Sequence, residues 1–197
     1  MKRDEKARKR IMDAARELFH EYGPVKATLR DVAHQAGVSK SLIYYYFKDK
    51  NEIFREIVID MDRTFMAEVR TRVMQESTAA DRVRVFLTGR FRYLMKAAAR
   101  RKISLERSLE YYPLFHSMMD LFLDGETSLL QEIIDFGNDR DEFHVADPYA
   151  WSRQTAMLLL AMDYQIFIRN NDMDNVMDMD AWEAVVNTII RGLTCGD

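Results

Sequence analysis

The segment Ser39-Lys-Ser-Leu-Ile-Tyr-Tyr-Tyr-Phe47 carries the densest set of side chains with something to bind. Ile43 and Phe47 stand four apart and share one face of a helix. Together with Val38 they are placed to pack on Val32 and Ala36 just upstream. The opposite side then presents Lys40, Ser41, Tyr44 and Tyr45. Three consecutive tyrosines on a short helix cannot all be buried, whatever its rotation. A phenol donates to a phosphate oxygen and packs its ring on a thymine methyl, so this face suits duplex DNA. Lys40, Lys48 and Lys50 bracket the same surface. Helix starts at Thr28 and Ser39 add backbone N–H groups that suit phosphate oxygens. In the competing reading the tyrosines only cover a neighbouring helix, which fits Tyr46 better than it fits the set.

Other constellations are thin. Glu17 and His20 have the carboxylate-x-x-His spacing of di-metal helical bundles, but no second copy exists. His116 and Asp120 stand four apart on a helix, yet two ligands are too few for a metal site. No metal and no cofactor are therefore expected. Nothing pairs a nucleophile with a base, no carboxylates cluster, and no Gly-rich phosphate loop appears, so an enzyme is not expected either. Cys195 is the single cysteine, which excludes an intrachain disulfide framework. With no sign of an oxidising compartment, the expected location is cytoplasmic.

Helices must position these residues. With 48% hydrophobic and 31% charged residues, the chain is too apolar to stay disordered. Seven Gly and three Pro leave few breakers, which favours an all-α fold. Ile11, Ala14, Ala15, Leu18, Phe19 and Tyr22 mark one helical stripe, stopped by Gly23-Pro24. Thr28 stands as a cap with Asp31 three residues on, an acidic variant of the capping box. Leu29, Val32, Ala33 and Ala36 form the next stripe, and Gly37 ends it. Ser39 caps a short helix through Phe47. Two short helices joined by a tight Gly-led turn are the helix-turn-helix signature. A long helix follows with Ile53, Phe54, Ile57, Val58, Met61 and Phe65, and five more are expected at about 80–99, 102–112, 114–137, 147–170 and 179–193. The longest uncharged apolar run, Ala156 to Met162, is far short of the ~20 residues of a membrane span. The basic N-terminus has no apolar stretch behind it and does not resemble a signal peptide.

Charge divides the chain. Residues 1–55 hold thirteen Lys/Arg against eight Asp/Glu, while the remainder holds sixteen against twenty-four. A basic module on an acidic body is expected when one end meets a polyanion and the other does not.

The stretch from Thr28 to Lys50 resembles the DNA-binding signature of the TetR/AcrR family of bacterial transcriptional regulators. Thr28, Val32-Ala33, Ala36-Gly37-Val38-Ser39, Ile43-Tyr44, Tyr46-Phe47 and Lys48 with Lys50 carry the match, which runs from about Ile11 to Phe54. The resemblance implies that Thr28, Tyr44, Tyr46 and Lys50 hold phosphates, while Arg30, Lys40, Ser41, Leu42 and Tyr45 face base edges. It also implies nine helices, three in a DNA-binding domain (1–49) and six in a ligand-binding and dimerisation domain (50–197). Such proteins act as homodimers on palindromic double-stranded operators, usually as repressors released by a small molecule.

The body offers material for both expectations. Residues 147–170 are apolar around most of the circumference, with Trp151, Thr155, Leu158, Leu159 and Met162 on one side. The last helix carries Trp182, Val185, Val186, Ile189, Ile190 and Leu193. Helices this apolar are buried deep or covered by a partner, and the resemblance makes them the dimer interface. Thirteen methionines suit an adaptable apolar pocket for a small effector. Its expected lining is Phe91, Tyr111, Tyr112, Phe115, Met118, Met119, Met157 and Met162, with Arg107 or His116 orienting a polar group. The rival to a DNA-binding regulator is a helical scaffold that binds another protein through 147–193.

Overall fold

The computed structural model describes residues 2–99, 113–114, 116–168 and 178–194, and all its regular structure is helical. The helices are α1 (Lys2–Tyr22), α2 (Leu29–Ala36), α3 (Lys40–Tyr46), α4 (Lys50–Val73), α5 (Ala79–Ala99), α6 (Met119–Asn138), α7 (Pro148–Ile168) and α8 (Met179–Thr194). Eight are thus counted among the described residues, not the expected nine; the helix expected at 102–112 lies outside them. The helix expected from 114 also starts later. Pro113, Leu114 and His116 have helical backbone, but a turn at Ser117-Met118 precedes α6.

The chain forms two compact units, one holding residues 2–63 with Pro113 and Leu114, the other beginning at Thr64. The division falls inside α4, further along the chain than the boundary drawn at 49/50 from the sequence pattern. In the first unit the apolar stripe of α1 is buried as its spacing requires: Ile11, Ala14, Ala15, Leu18 and Phe19. It meets Val32, Ala33 and Ala36 of α2, and Ile53, Phe54 and Ile57 of α4 belong to the same buried set.

The second unit buries a larger core, including Val69, Val83, Phe86, Leu87, Leu130, Ile133, Ile134, Ala156, Trp182 and Val186. Its α6–α7 connection is tied by Asn138, whose side-chain amide donates to the Val145 carbonyl (2.8 Å) and whose oxygen accepts the Val145 N–H (3.1 Å). Gly137 is required there by close packing. A Cβ at that position would run into the Phe143 ring and lie 2.9 Å from Ala79 Cβ.

One charged cluster is built into this core. Arg90 of α5 donates from Nε to Glu126 Oε1 of α6 (2.7 Å), and from both terminal nitrogens to the Asp163 carboxylate of α7 (2.8 and 2.7 Å). Burial alone would lower the Arg90 pKa, but the two carboxylates hold it above its ordinary value. Burial raises the pKa of Asp163 even against the pull of Arg90. No helix among the described residues is long and apolar enough to cross a membrane.

Candidate nucleic-acid interface

The surface is assembled from α2, α3 and the turns around them. Thr28 is the extended N-cap of α2 (φ −106°, ψ 157°). Its Oγ1 accepts the Asp31 N–H (3.2 Å), and Asp31 accepts both the Thr28 N–H (3.0 Å) and its hydroxyl (2.6 Å). These bonds from Thr28 hold the Asp31 carboxyl below its usual range. The acidic capping box expected from the spacing is therefore complete.

Gly37 ends α2 in the left-handed conformation (φ 60°, ψ 43°), where a side chain is strained. Ser39 (φ −74°, ψ 151°) then caps α3, its Oγ accepting the Leu42 N–H at 3.2 Å. Inside α3 only Ile43 is buried, and Phe47 follows it into the core at the C-cap. The outward face is as the alternation of types requires. Tyr44 is 51% exposed and Tyr45 73% exposed, with Lys40 Nζ 5.7 Å from the Tyr44 ring centroid. Ser41, Arg30 and Lys48 are exposed, Leu42 is half-buried. Tyr46 is half-buried too, its ring edge-on to Tyr45 at 4.9 Å between centroids.

Lys50 departs from the expected pattern. Its ammonium donates to the Val25 and Ala27 carbonyls, each at 2.9 Å, so two of its three N–H donors pin the loop before α2. Partial burial lowers its pKa. The Lys48 backbone N–H donates to the Glu52 carboxylate, and the Glu52 N–H to Asp49 Oδ1 (2.8 Å), which together start α4.

Sequence reading missed the neighbours of Arg30. Lys26, Arg30 and His34 recur every four residues and line an open groove beside α2, with Leu18 and Tyr22 of α1 on its wall. That spacing was visible in the sequence.

In the body the expected sites are redistributed. Of the pocket set, Phe91 is buried and stacked on Trp182 (5.0 Å between centroids), and Met118 is buried. Met119, Met157 and His116 are exposed and Met162 is half-buried. Arg107, Tyr111, Tyr112 and Phe115 lie outside the described residues. The interface set splits as well. Trp182, Val186, Ile190 and Leu159 are buried within the chain, and the Trp182 indole N–H donates to the Leu87 carbonyl (3.2 Å). Leu158 (72% exposed) and Val185 (45% exposed) face outward, while Trp151, Thr155 and Ile189 are half-buried. Because α7 is apolar around its girth, periodicity did not say which side was covered. Met157, 48% exposed, lies next to Leu158. Among the described residues no group of three or more His, Cys, Asp and Glu could hold a metal ion.

A short helix with polar and aromatic side chains outward, capped across a tight turn to a second helix, defines a helix-turn-helix DNA-binding protein. Residues 11–57 match the family model for bacterial regulatory proteins of the tetR family. The regulator BetI of Escherichia coli (strain UMN026) is 24% identical over 166 residues, which cover 82% of this chain and 80% of that protein. The transcriptional repressor Rv1474c of Mycobacterium tuberculosis is 37% identical over 78 residues, 37% of this chain and 41% of that one. The crystal structure of FadR from Bacillus subtilis, in complex with stearoyl-CoA, superposes with a TM-score of 0.62 at 22% identity, covering 95% of this chain and 98% of that one. The DNA-binding segment, residues 11–57, is thus of the tetR family of bacterial regulatory proteins.

Proposed function

We propose that this chain is a homodimeric, cytoplasmic repressor that binds a palindromic double-stranded operator and is released by a small, largely apolar effector. Residues 1–49 read the operator, and 50–197 pair the two copies and take the effector. The observation that carries the reading is the outward face of α3: Lys40, Ser41, Tyr44 and Tyr45 stand exposed while Ile43 and Phe47 anchor the helix. Arg30, Lys40, Ser41, Leu42 and Tyr45 face base edges in the major groove. Tyr44, Tyr46, Lys48 and the backbone N–H groups at Thr28 and Ser39 seat the module on phosphates. Lys50 adds its one remaining donor.

Pairing is supported by two outward stripes. On α7 it runs through Trp151, Thr155, Leu158 and Met162, and on α8 through Ala181, Val185, Thr188, Ile189 and Gly192, none of them buried. A Cβ at Gly192 would meet nothing within 4 Å, which leaves room for another backbone to approach. A dimer also matches the chemistry of the DNA, since successive major grooves on one side recur about 34–36 Å apart. An effector that favours a conformer with another spacing weakens operator binding by the ratio of its affinities for the two conformers.

The test uses a duplex enriched from a random pool by the chain itself, with affinity measured with and without stearoyl-CoA and a panel of apolar small molecules. A member of the panel that binds should reduce duplex affinity, and the duplex should reduce affinity for it by the same factor. Tight binding with unchanged duplex affinity overturns the release mechanism. Failure to enrich any duplex overturns the DNA-binding reading and favours a scaffold that docks on protein.

A further inference from the structure

We infer that Arg10 of α1 is a positioning residue for DNA recognition: it clamps the turn between α2 and α3 and so sets where the base-reading helix begins. The inference rests on the DNA-binding reading above. By charge alone Arg10 counts as one more cation for the polyanion, but its guanidinium is committed elsewhere.

α3 has seven residues, and isolated helices shorter than about 12–15 residues are marginal in water. Its orientation must come from outside. Ile43 and Phe47 fix one face, and the turn fixes the start. The end of α2 leaves carbonyls without helical partners. The Ala33 carbonyl accepts the Val38 N–H (3.0 Å), and that of His34 accepts the Gly37 N–H (3.2 Å). The Ala36 and Gly37 carbonyls both accept from a single Nη2 of Arg10, the second at 2.9 Å. A cation there also meets the negative end of the α2 dipole.

The fit is close. A Cβ on Gly37 would lie 2.9 Å from Arg10 Nη2, so the guanidinium fills space that only glycine leaves open. Arg10 is in turn held by its neighbour Ile11, which is fully buried. Arg8 acts at the other end of α3. Its guanidinium lies 5.2 Å from the Phe47 ring centroid and pairs with Glu56 of α4. One arginine of α1 thus braces each end of the recognition helix.

The experiment measures binding of the full chain to two duplexes across a salt series. One duplex is enriched from a random pool by the wild-type chain, and the other is its scrambled counterpart. Arg10→Met should reduce preference for the enriched duplex by about tenfold, the scale of losing hydrogen bonds to a charged donor. Its salt dependence on scrambled DNA should not change. Arg10→Lys keeps the charge but replaces the planar fork by a point donor, so it should keep the slope and restore only part of the preference. Lys48→Ala is the contrast, expected to flatten the slope by about 1.8 per dimer on both duplexes with preference intact. Loss of about 1.8 of slope per dimer in Arg10→Met, equal weakening on both duplexes, or an unchanged preference overturns the positioning role. Should Arg10→Met melt below the assay temperature, Arg10→Lys decides by the same two readouts. A wild-type chain that enriches no duplex overturns the DNA-binding reading itself, and the positioning role with it.

Discussion

Replacing Arg90 by Met tests the charged cluster in the body most directly. Arg90 and Glu126 have only 4% and 8% of their side-chain surface exposed, and Asp163 has 22%. The substitution keeps much of the volume but leaves two carboxylates without their common cation. Removing one partner of a buried ion pair costs about 3–5 kcal/mol, because the remaining charge is stranded. For a chain of this size each kcal/mol moves the melting temperature by about 2–4 °C, so a drop of about 6–20 °C is expected. Burial already raises the pKa of Asp163 with Arg90 present, and it rises further without it. A carboxyl whose native pKa exceeds its unfolded value favours the folded chain at low pH and loses that contribution as pH rises through the native value. The deficit of Arg90→Met against wild type should therefore shrink between pH 7 and pH 5. Urea unfolding followed by circular dichroism at both pH values, at fixed protein concentration, measures it. A deficit below about 1 kcal/mol at pH 7, or one equal at the two pH values, refutes the stranded-charge reasoning. Asp163→Asn removes a charge that burial disfavours while keeping an acceptor for Arg90, and it should cost less than Arg90→Met.

Leu158→Glu places a charge on the exposed stripe of α7. It should convert a dimer to monomer in light scattering at unchanged helical content, and a surviving dimer would move the interface elsewhere. Gly137→Ala forces a methyl against Phe143 and Ala79, and overpacking of this kind costs about 1–3 kcal/mol in urea unfolding. Asp31, with its pKa lowered by Thr28, contributes stability above its ordinary pKa that is lost as pH falls through the lower native value. Asp31→Asn should therefore flatten the acid limb of a thermal-melting profile while leaving the order of stabilities at neutral pH in favour of wild type.

Legibility in the sequence followed the number of ways a residue could be used. The caps at Thr28 and Ser39 and the left-handed Gly37 were readable because few residue types satisfy a helix end, and local spacing specifies the bond. The tyrosines were readable as a set, since a short helix has no room to bury three in a row. Lys50 and Arg10 were not, because a long cation reaches either a phosphate or a backbone carbonyl, and only the fold decides which is nearer. The apolar helices α7 and α8 defeated periodicity for a related reason. Val185 and Val186 are the same residue type, yet Val186 is buried in the chain's own core and Val185 faces outward. The Arg90 cluster joins residues 36 and 73 positions apart, beyond any local pattern.

These internal commitments change what the basic N-terminus predicts about DNA affinity. Thirteen Lys and Arg in residues 1–55 suggest a large electrostatic contribution. Several are spent within the fold: Arg8 on Glu56, Arg16 on Asp60, and Arg10 and Lys50 on backbone carbonyls. Around α2 and α3, by contrast, Lys26, Arg30, Lys40 and Lys48 are exposed and form no ion pair among the described residues. Counterion release follows the phosphates neutralised, not the formal charge of the domain. If these four cations act in each copy of a dimer, the plot of log affinity against log salt should have a slope of about −7. Lys26→Ala, outside the recognition helix, should reduce it by about two phosphates' worth per dimer. Affinity measured from low to moderate salt on one duplex reads the slope. A value near twice as steep would mean that the arginines of α1 leave their carbonyl and carboxylate partners on binding, and that the fold spends them less firmly than its geometry requires.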